Sequence, residues 1–348
     1  MKKRAALAIL LALGLLALFI TAVGWSEVLG AMERASLTVY AGAFLASLVC
    51  FGFRSAVWDR VLTVVDRPRP YWLILGMFMT ASFLKYVTPY GQVASGVGSA
   101  AIVNRYTDAT YEESLAAVLS SDFINYLPYY TFGSVGAVYV FVIYSPPIDL
   151  GGYLLTALAV VAVVALISAV VWFLRARATA GLVRLVVGFR RLVGVVSESK
   201  AALLTRENVS SRLEGFYTTL ELVSKNRREM VIALVFGHLG WLGLATALYA
   251  TALALNSPVP FGVAMLVVAV SKVGFLIPTP GGIGGVEATL AAALYLVMPV
   301  TVAVATAIAI LYRFATYWFT VLLGGLTSMA LTIDDPLPPE EEPAPTEE

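Results

Sequence analysis

The sequence predicts an all-α polytopic membrane protein with about six full transmembrane helices and two opposed re-entrant helical hairpins, related as an inverted repeat. Three observations predict it. The chain is 59% apolar and only 13% charged, whereas a soluble domain runs near half apolar and a quarter charged. Uncharged runs, Ala5 to Ser26, Ala35 to Phe53, Phe123 to Ile148, Leu150 to Leu174 and Ala288 to Tyr312, approach or exceed the roughly 20 residues that cross about 30 Å of hydrocarbon. Finally, two apolar segments are interrupted by proline and glycine, at Thr88-Pro89-Tyr90-Gly91 and, more elaborately, between Lys272 and Glu287.

The elements follow in order. Lys2-Lys3-Arg4 ahead of Ala5 to Val23 is longer than a secretory signal core and lacks a strong cleavage site, so a retained first span with a cytoplasmic N-terminus is expected. A second span, about Ser36 to Trp58, returns to a loop carrying Arg60, Arg67 and Arg69. The segment 175–229 holds eleven Lys or Arg against five Glu and is also expected inside. Spans at about Ser114 to Tyr144 and Gly151 to Leu174 lie between these two basic regions. Pro70 to Gly98 must then cross an even number of times, and its 29 residues are too few for two complete spans. A re-entrant hairpin with its tip near Thr88 to Gly91 satisfies both conditions.

The second half repeats the plan. A span from Met230 to Leu255 leads to Asn256-Ser257-Pro258, Phe261 to Met298 holds the second break, and a final helix, about Val300 to Ile333, returns to the cytoplasm. An offset of 191 residues places Thr88-Pro89-Tyr90-Gly91 on Thr279-Pro280-Gly281-Gly282. Hairpins entering from opposite faces are what an inverted repeat produces, and such repeats put a substrate site near mid-membrane. The domain expectation is one transmembrane domain, 1–333, with a cytoplasmic amphipathic part at 175–229, followed by an acidic Pro/Glu-rich tail, 334–348, of disordered composition. Within the basic part, Leu182, Leu185, Val186, Phe189, Leu192 and Val196 form a helical stripe, read either as an interfacial helix on an anionic leaflet or as a linker helix packed on neighbouring loops.

Charge inside apolar segments singles out the candidate substrate-binding residues. Lys272 needs a partner or a cavity, since a mid-membrane lysine costs roughly 2.5 to 3.5 kcal/mol on insertion scales; snorkelling or pairing with Glu287 is the plainer alternative. Pro278, Pro280, Gly281, Gly282, Gly284 and Gly285 break the helix, and Glu287 falls where a half-helix should start, a position suited to a capping carboxylate. The glycine-rich backbone could also cradle phosphate oxygens, although without Gly-Lys-Ser/Thr it is no nucleotide loop. Lys85, Pro89, Gly91 and Gln92 mark the first tip, Asp122 and Asn125 give the next span a polar face, and Arg313 lies in an otherwise uncharged run of more than forty residues. Cations in excess over acids point to an anionic head group. His238, in Gly237-His238-Leu239-Gly240, is read as a satisfied packing histidine rather than a ligand.

One histidine and the single Cys50 leave no metal site, thiol triad or intrachain disulfide, and no cofactor is expected. A net charge of +1 gives no attraction to nucleic acid. Asp122 and Glu287 are the only paired acids available to an intramembrane enzyme, and no motif links them. A lipid flippase, a non-transporting scaffold for envelope or glycan synthesis and, less favoured, a lipid-modifying enzyme remain the function classes.

Pro278-Thr-Pro-Gly-Gly-Ile-Gly-Gly-Val-Glu287 resembles the hallmark of the flippase-like family named for the transmembrane region of lysylphosphatidylglycerol synthase, and Thr88-Pro89-Tyr90-Gly91-Gln92 is similar to that family's first loop. The resemblance implies lipid translocation in the cell membrane by a multi-pass protein, with Pro280, Gly281, Gly282, Gly284 and Glu287 matching the second motif and Pro89 and Gly91 the first. Many members carry a Gly-Glu pair and a nearby Arg after the first-loop proline, whereas here Gln92-Val93-Ala94-Ser95-Gly96 has no acid and Arg105 is the next base. Shared substrate chemistry is therefore not implied. The chain is not expected to synthesise aminoacylated lipid, because only a short acidic tail follows the spans. Membrane lipids with anionic head groups are the expected partners, with a homo-oligomer or a separate lipid-modifying enzyme as the expected protein partner.

Overall fold

A computed structural model of the chain describes residues 24–88, 91–144, 205–277 and 279–334, together with Gly14 and Thr21. The expected spans 5–23 and 151–174, the stripe from Leu182 to Val196 and the tail beyond Asp334 lie outside the described residues, as do Pro89, Pro278 and the side chain of Gln92. Every regular element among the described residues is helical.

The first half contains a short helix α1 (Trp25–Glu33), the long α2 (Leu37–Val65), α3 (Tyr71–Val87) and α4 (Gly91–Tyr106), and then the long α5 (Tyr111–Tyr144). Pro68 and Pro70 cannot continue α2, and Pro70 sets the N-cap of α3 in extended backbone. At the start of α5, the Thr110 backbone N–H donates to Glu113 Oε2 at 2.7 Å and Glu113 N–H donates back to Thr110 Oγ1 at 3.3 Å. This reciprocal capping box begins the helix three residues ahead of the expected Ser114. α3 and α4 pack against each other around the tip at Thr88, where Gly91 N–H donates to the Thr88 carbonyl at 2.9 Å.

The second half begins with α6 (Arg206–Lys225) and the long α7 (Arg227–Ala254). After a turn in which Asn256 takes a left-handed φ of 53°, α8 (Phe261–Val270) tightens into a 3₁₀ segment, Ser271–Leu276. A second 3₁₀ turn, Pro280–Gly282, then leads to α9 (Gly285–Val297). The final stretch comprises α10 (Val302–Arg313), a π-helical turn at Phe314–Trp318, and α11 (Phe319–Asp334). Four of the six expected spans are thus seen as α2, α5, α7 and the α10–α11 helix, while the other two lie outside the described residues. The segment Pro280–Val297 also has the length and composition of a span, but the break at Pro280–Gly282 makes it half of a hairpin.

The two halves share one plan: a long helix, a half-helix, a tip, a second half-helix and another long helix. Their contacts obey an exchange rule. α5 packs on α8 and α11 packs on α3, so each half's closing helix covers the other half's first half-helix. Gly133 of α5 meets Ala269, and Gly324, which is Gly133 plus the 191-residue offset, meets Met79. Among the described residues, the homologous helices α2 and α7 form the most extensive contact, with Gly42 beside Ala250, Cys50 beside Gly243 and Arg60 reaching Glu229. Residue numbers fall on one helix as they rise on the other, so this pair runs antiparallel. Repeats related about the membrane normal would keep homologous helices parallel; antiparallel ones require the inverted arrangement.

Small residues permit that central contact. A Cβ on Gly243 would lie 2.8 Å from the Ala46 carbonyl oxygen and 3.0 Å from Cys50 Cβ, so the two backbones touch as small-residue membrane packing allows. Gly237 similarly faces Pro128 and Ile124 of α5. His238 between these glycines has its Nδ1 at 2.8 Å from the Leu234 carbonyl and Nε2 at 3.3 Å from Thr131 Oγ1, the satisfied packing histidine the sequence predicts.

Candidate functional site

The second tip is a dry, internally bonded structure. Gly281 sits at φ 59°, and a side chain there would run into the Tyr317 ring, so both backbone and space require glycine. Gly274 and Gly285 bring the two arms of the hairpin into backbone contact. Backbone N–H groups are used locally: Gly282 donates to Thr279 O at 3.1 Å, Ile283 to Pro280 O at 3.3 Å, and Gly284 to Glu287 Oε2 at 2.8 Å. Glu287 therefore does cap α9, as its place in the first turn predicts.

The other carboxylate oxygen of Glu287 accepts from Arg313 Nε at 2.8 Å, with side-chain exposures of 2% and 6% for acid and base. Arg313 also donates to the Gly281 carbonyl at 2.7 Å and stacks its guanidinium 4.1 Å from the Tyr317 ring centroid. Arg313 is the residue immediately before the π-helical turn and Tyr317 lies within it, and such turns recur where a helix must aim side chains at a site. Acid, base and aromatic ring together clamp the loop to α10. Glu287 is thus paired with Arg313 and not with Lys272, because Arg313 reaches the buried carboxylate from the facing helix.

The first tip is built around a wetter pair. Lys85 in the last turn of α3 donates to Asp122 Oδ2 on α5 at 3.0 Å, with side-chain exposures of 13% and 21%. This pair borders a cavity of about 440 Å³ between the hairpins. α3 contributes Ser82, Lys85 and Tyr86 to it, and the 3₁₀ arm of the second hairpin contributes Lys272, Val273, Phe275 and Leu276. α2 adds Arg54 and Trp58, and α5 and α7 add Asp122, Tyr126, Tyr129, Tyr130 and Trp241. Lys272 Nζ lies 5.4 Å from the Trp241 ring centroid and 5.3 Å from that of Phe275. Arg54 Nε is buried without a hydrogen-bond partner.

A model of the family described as the lysylphosphatidylglycerol synthase TM region matches residues 5–324, a span that contains both hairpins and every wall of the cavity. The chain belongs to that family. It is also 23% identical over 260 residues to the UPF0104 membrane protein PH1989 of Pyrococcus horikoshii, in an alignment covering 73% of this chain and 75% of that protein.

Within this lysylphosphatidylglycerol synthase TM-region chain, the residues singled out from sequence divide into two groups. Lys85, Asp122 and Lys272 line the cavity. Gly281, Gly282, Gly284, Gly285, Glu287 and Arg313 stand behind it as the buried clamp of the second tip. Gly91 is buried at the first tip, and Pro280 opens the 3₁₀ turn of the second. Two groups escaped the sequence reading. Arg54, four residues before the end of the expected span Ser36 to Trp58, is a cavity wall because α2 continues to Val65. The aromatic wall is visible in retrospect as Tyr126, Tyr129 and Tyr130 around Pro128.

Proposed function

We propose that the protein is a flippase of the cell membrane, moving a lipid with an anionic head group through the space between its two hairpins, with N- and C-termini in the cytoplasm and the hairpins re-entrant from opposite faces. The observation that carries the reading is the convergence of two broken hairpins of an inverted repeat on one cavity that, among the described residues, presents Arg54, Lys85 and Lys272 against the single acid Asp122. Inverted repeats with broken helices are the architecture in which one site is exposed alternately to either side. Cations held at membrane depth by aromatic and backbone packing favour a negatively charged passenger. In this reading the Glu287–Arg313 clamp fixes the second tip, and the cavity-facing Arg54 and Lys272 meet the head group beside the Lys85–Asp122 pair.

The test is transport itself. Purified protein in vesicles containing a labelled anionic phospholipid is expected to accelerate the label's appearance in the opposite leaflet, and Lys272→Ala is expected to slow it while keeping a monodisperse elution profile. Equal rates in empty, wild-type and variant vesicles, across several anionic lipids, would favour the scaffold reading. Labelling of single cysteines placed in the loop after Arg105 only from outside would refute the proposed orientation of the first hairpin.

A further inference from the structure

The cavity wall carries more than a preference for negative charge. Of its cations, Lys85 is neutralised by Asp122 at 3.0 Å. Arg54 and Lys272 make no salt bridge among the described residues: Arg54 lies against the Cys50 thiol with its Nε unpartnered, and Lys272 is enclosed by the Trp241 and Phe275 rings. The two line the same cavity from different elements, α2 and the 3₁₀ arm after α8. An aromatic face stabilises a cation by only about 0.5–2 kcal/mol, less than a charge-assisted pairing with an anion in the cavity would contribute. The cavity wall therefore offers two basic side chains that no salt bridge engages among the described residues, and an anion seated between them would pair both.

We propose that this seat is built for a lipid whose head group is a phosphate monoester, able to bear two negative charges, rather than for a singly charged phosphodiester. The inference rests on the flippase reading and names its substrate class. Arg54 supplies a planar fork that engages two phosphate oxygens, Lys272 supplies a compact point charge for a third, and the pair Lys85–Asp122 remains intact. A diester blocks one oxygen with its second substituent and removes one charge, leaving one of the two cations unmatched. The neighbouring Val273 and Leu276 are 53% and 81% exposed, so the same arm offers apolar surface where a hydrocarbon chain leaves the seat.

Phosphatidic acid and phosphatidylmethanol of identical chains make the decisive pair, since they differ by one methyl group and one ionisation. With the full-length protein in nanodiscs of zwitterionic lipid at pH 8, phosphatidic acid is expected to bind at least tenfold more tightly than phosphatidylmethanol. Lys272→Gln is expected to shrink that ratio to about twofold or less by weakening the monoester alone, whereas Arg54→Gln weakens both lipids. Arg54→Lys, which keeps the charge and loses the fork, should restore part of the binding and control for misfolding. Equal affinities of the two lipids for the wild type, or no binding of either, would overturn the proposal. The two claims fail separately: monoester-selective binding without transport sinks the flippase reading alone, and transport with no monoester preference sinks the dianion seat alone.

Discussion

The repeat sets Asp122 of α5 and Arg313 of α10 at equivalent positions, each holding a hairpin by an ion pair, yet the two pairs have opposite polarity and different surroundings. Asp122 anchors Lys85 at the end of the first half-helix of its hairpin, beside the cavity. Arg313 anchors Glu287 at the start of the second half-helix of its own, sealed among the glycines and Tyr317. One architectural position thus serves two ends. A dry pair fixes geometry, because separating it strands a buried charge, while a pair that borders a cavity can exchange partners at modest cost.

The largest expected effect comes from breaking the dry pair. Arg313→Met leaves the Glu287 carboxylate buried without its cation, a loss of about 3–5 kcal/mol, and should lower the thermal midpoint in detergent sharply or prevent folding. Adding Glu287→Gln, which keeps an acceptor for the Gly284 N–H, should recover most of the loss, short of the Gly281 carbonyl that Arg313 also served. The matching change at the first hairpin, Lys85→Met, should cost less, between the roughly 1 kcal/mol of an exposed pair and the buried-pair figure. Equal losses at the two sites would show that burial does not separate them.

Breaking the wetter pair should show in binding instead. Asp122→Asn frees Lys85 and removes the acid from the described cavity wall, so anionic lipid should bind more tightly by roughly tenfold, about 1.4 kcal/mol. Release, and with it the transport rate, should slow. Binding isotherms in nanodiscs and leaflet-exchange rates in vesicles measure the two effects; weaker binding in the variant would assign Asp122 to holding the fold, like Glu287.

The division between the hairpins explains what the sequence did and did not reveal. Apolar runs and helix breakers are local signals, so α2, α5, α7, the α10–α11 helix and both tips were readable from the chain, and so was Glu287 as the cap of α9. The partner of Glu287 was not, because it lies 26 residues along the chain on another helix and no local pattern ties the two together. The depth of Arg54 is not legible in the sequence for a related reason. Asp59 and Arg60 follow directly on the expected span Ser36 to Trp58, but Arg60 pairs with Asp59 and reaches Glu229 of α7 at 3.4 Å, and the helix runs on to Val65. At about 1.5 Å per residue, Arg54 then stands some 16 Å from the helix end, well inside the fold instead of one turn from water.

The smallest expected effect separates the bases of the hairpins. At the first, Asp66 accepts from Arg69 Nε at 3.1 Å and from the Asp108 backbone N–H at 3.3 Å, while Arg69 and Arg67 pair with Asp108 at 3.0 and 2.8 Å. Burial pushes the Asp66 carboxyl up, but hydrogen bonds from the Arg67 backbone, Arg69 and the Asp108 backbone outweigh it and hold it below its ordinary value. A depressed carboxylate contributes stability that is complete above the unfolded value, about 3.9, and is lost as pH falls through the lower folded value. At the second hairpin, the loops 255–260 and 298–301 carry no ionisable side chain. Below about pH 4, amide exchange corrected for intrinsic rates should therefore accelerate at 66–70 and 107–110 and stay level at 255–260 and 298–301, and Asp66→Asn should remove the pH step at the first site. A simultaneous rise at both bases would mean that acid opens the whole fold, and the clamp at Asp66 would then have no separate role in holding the first hairpin.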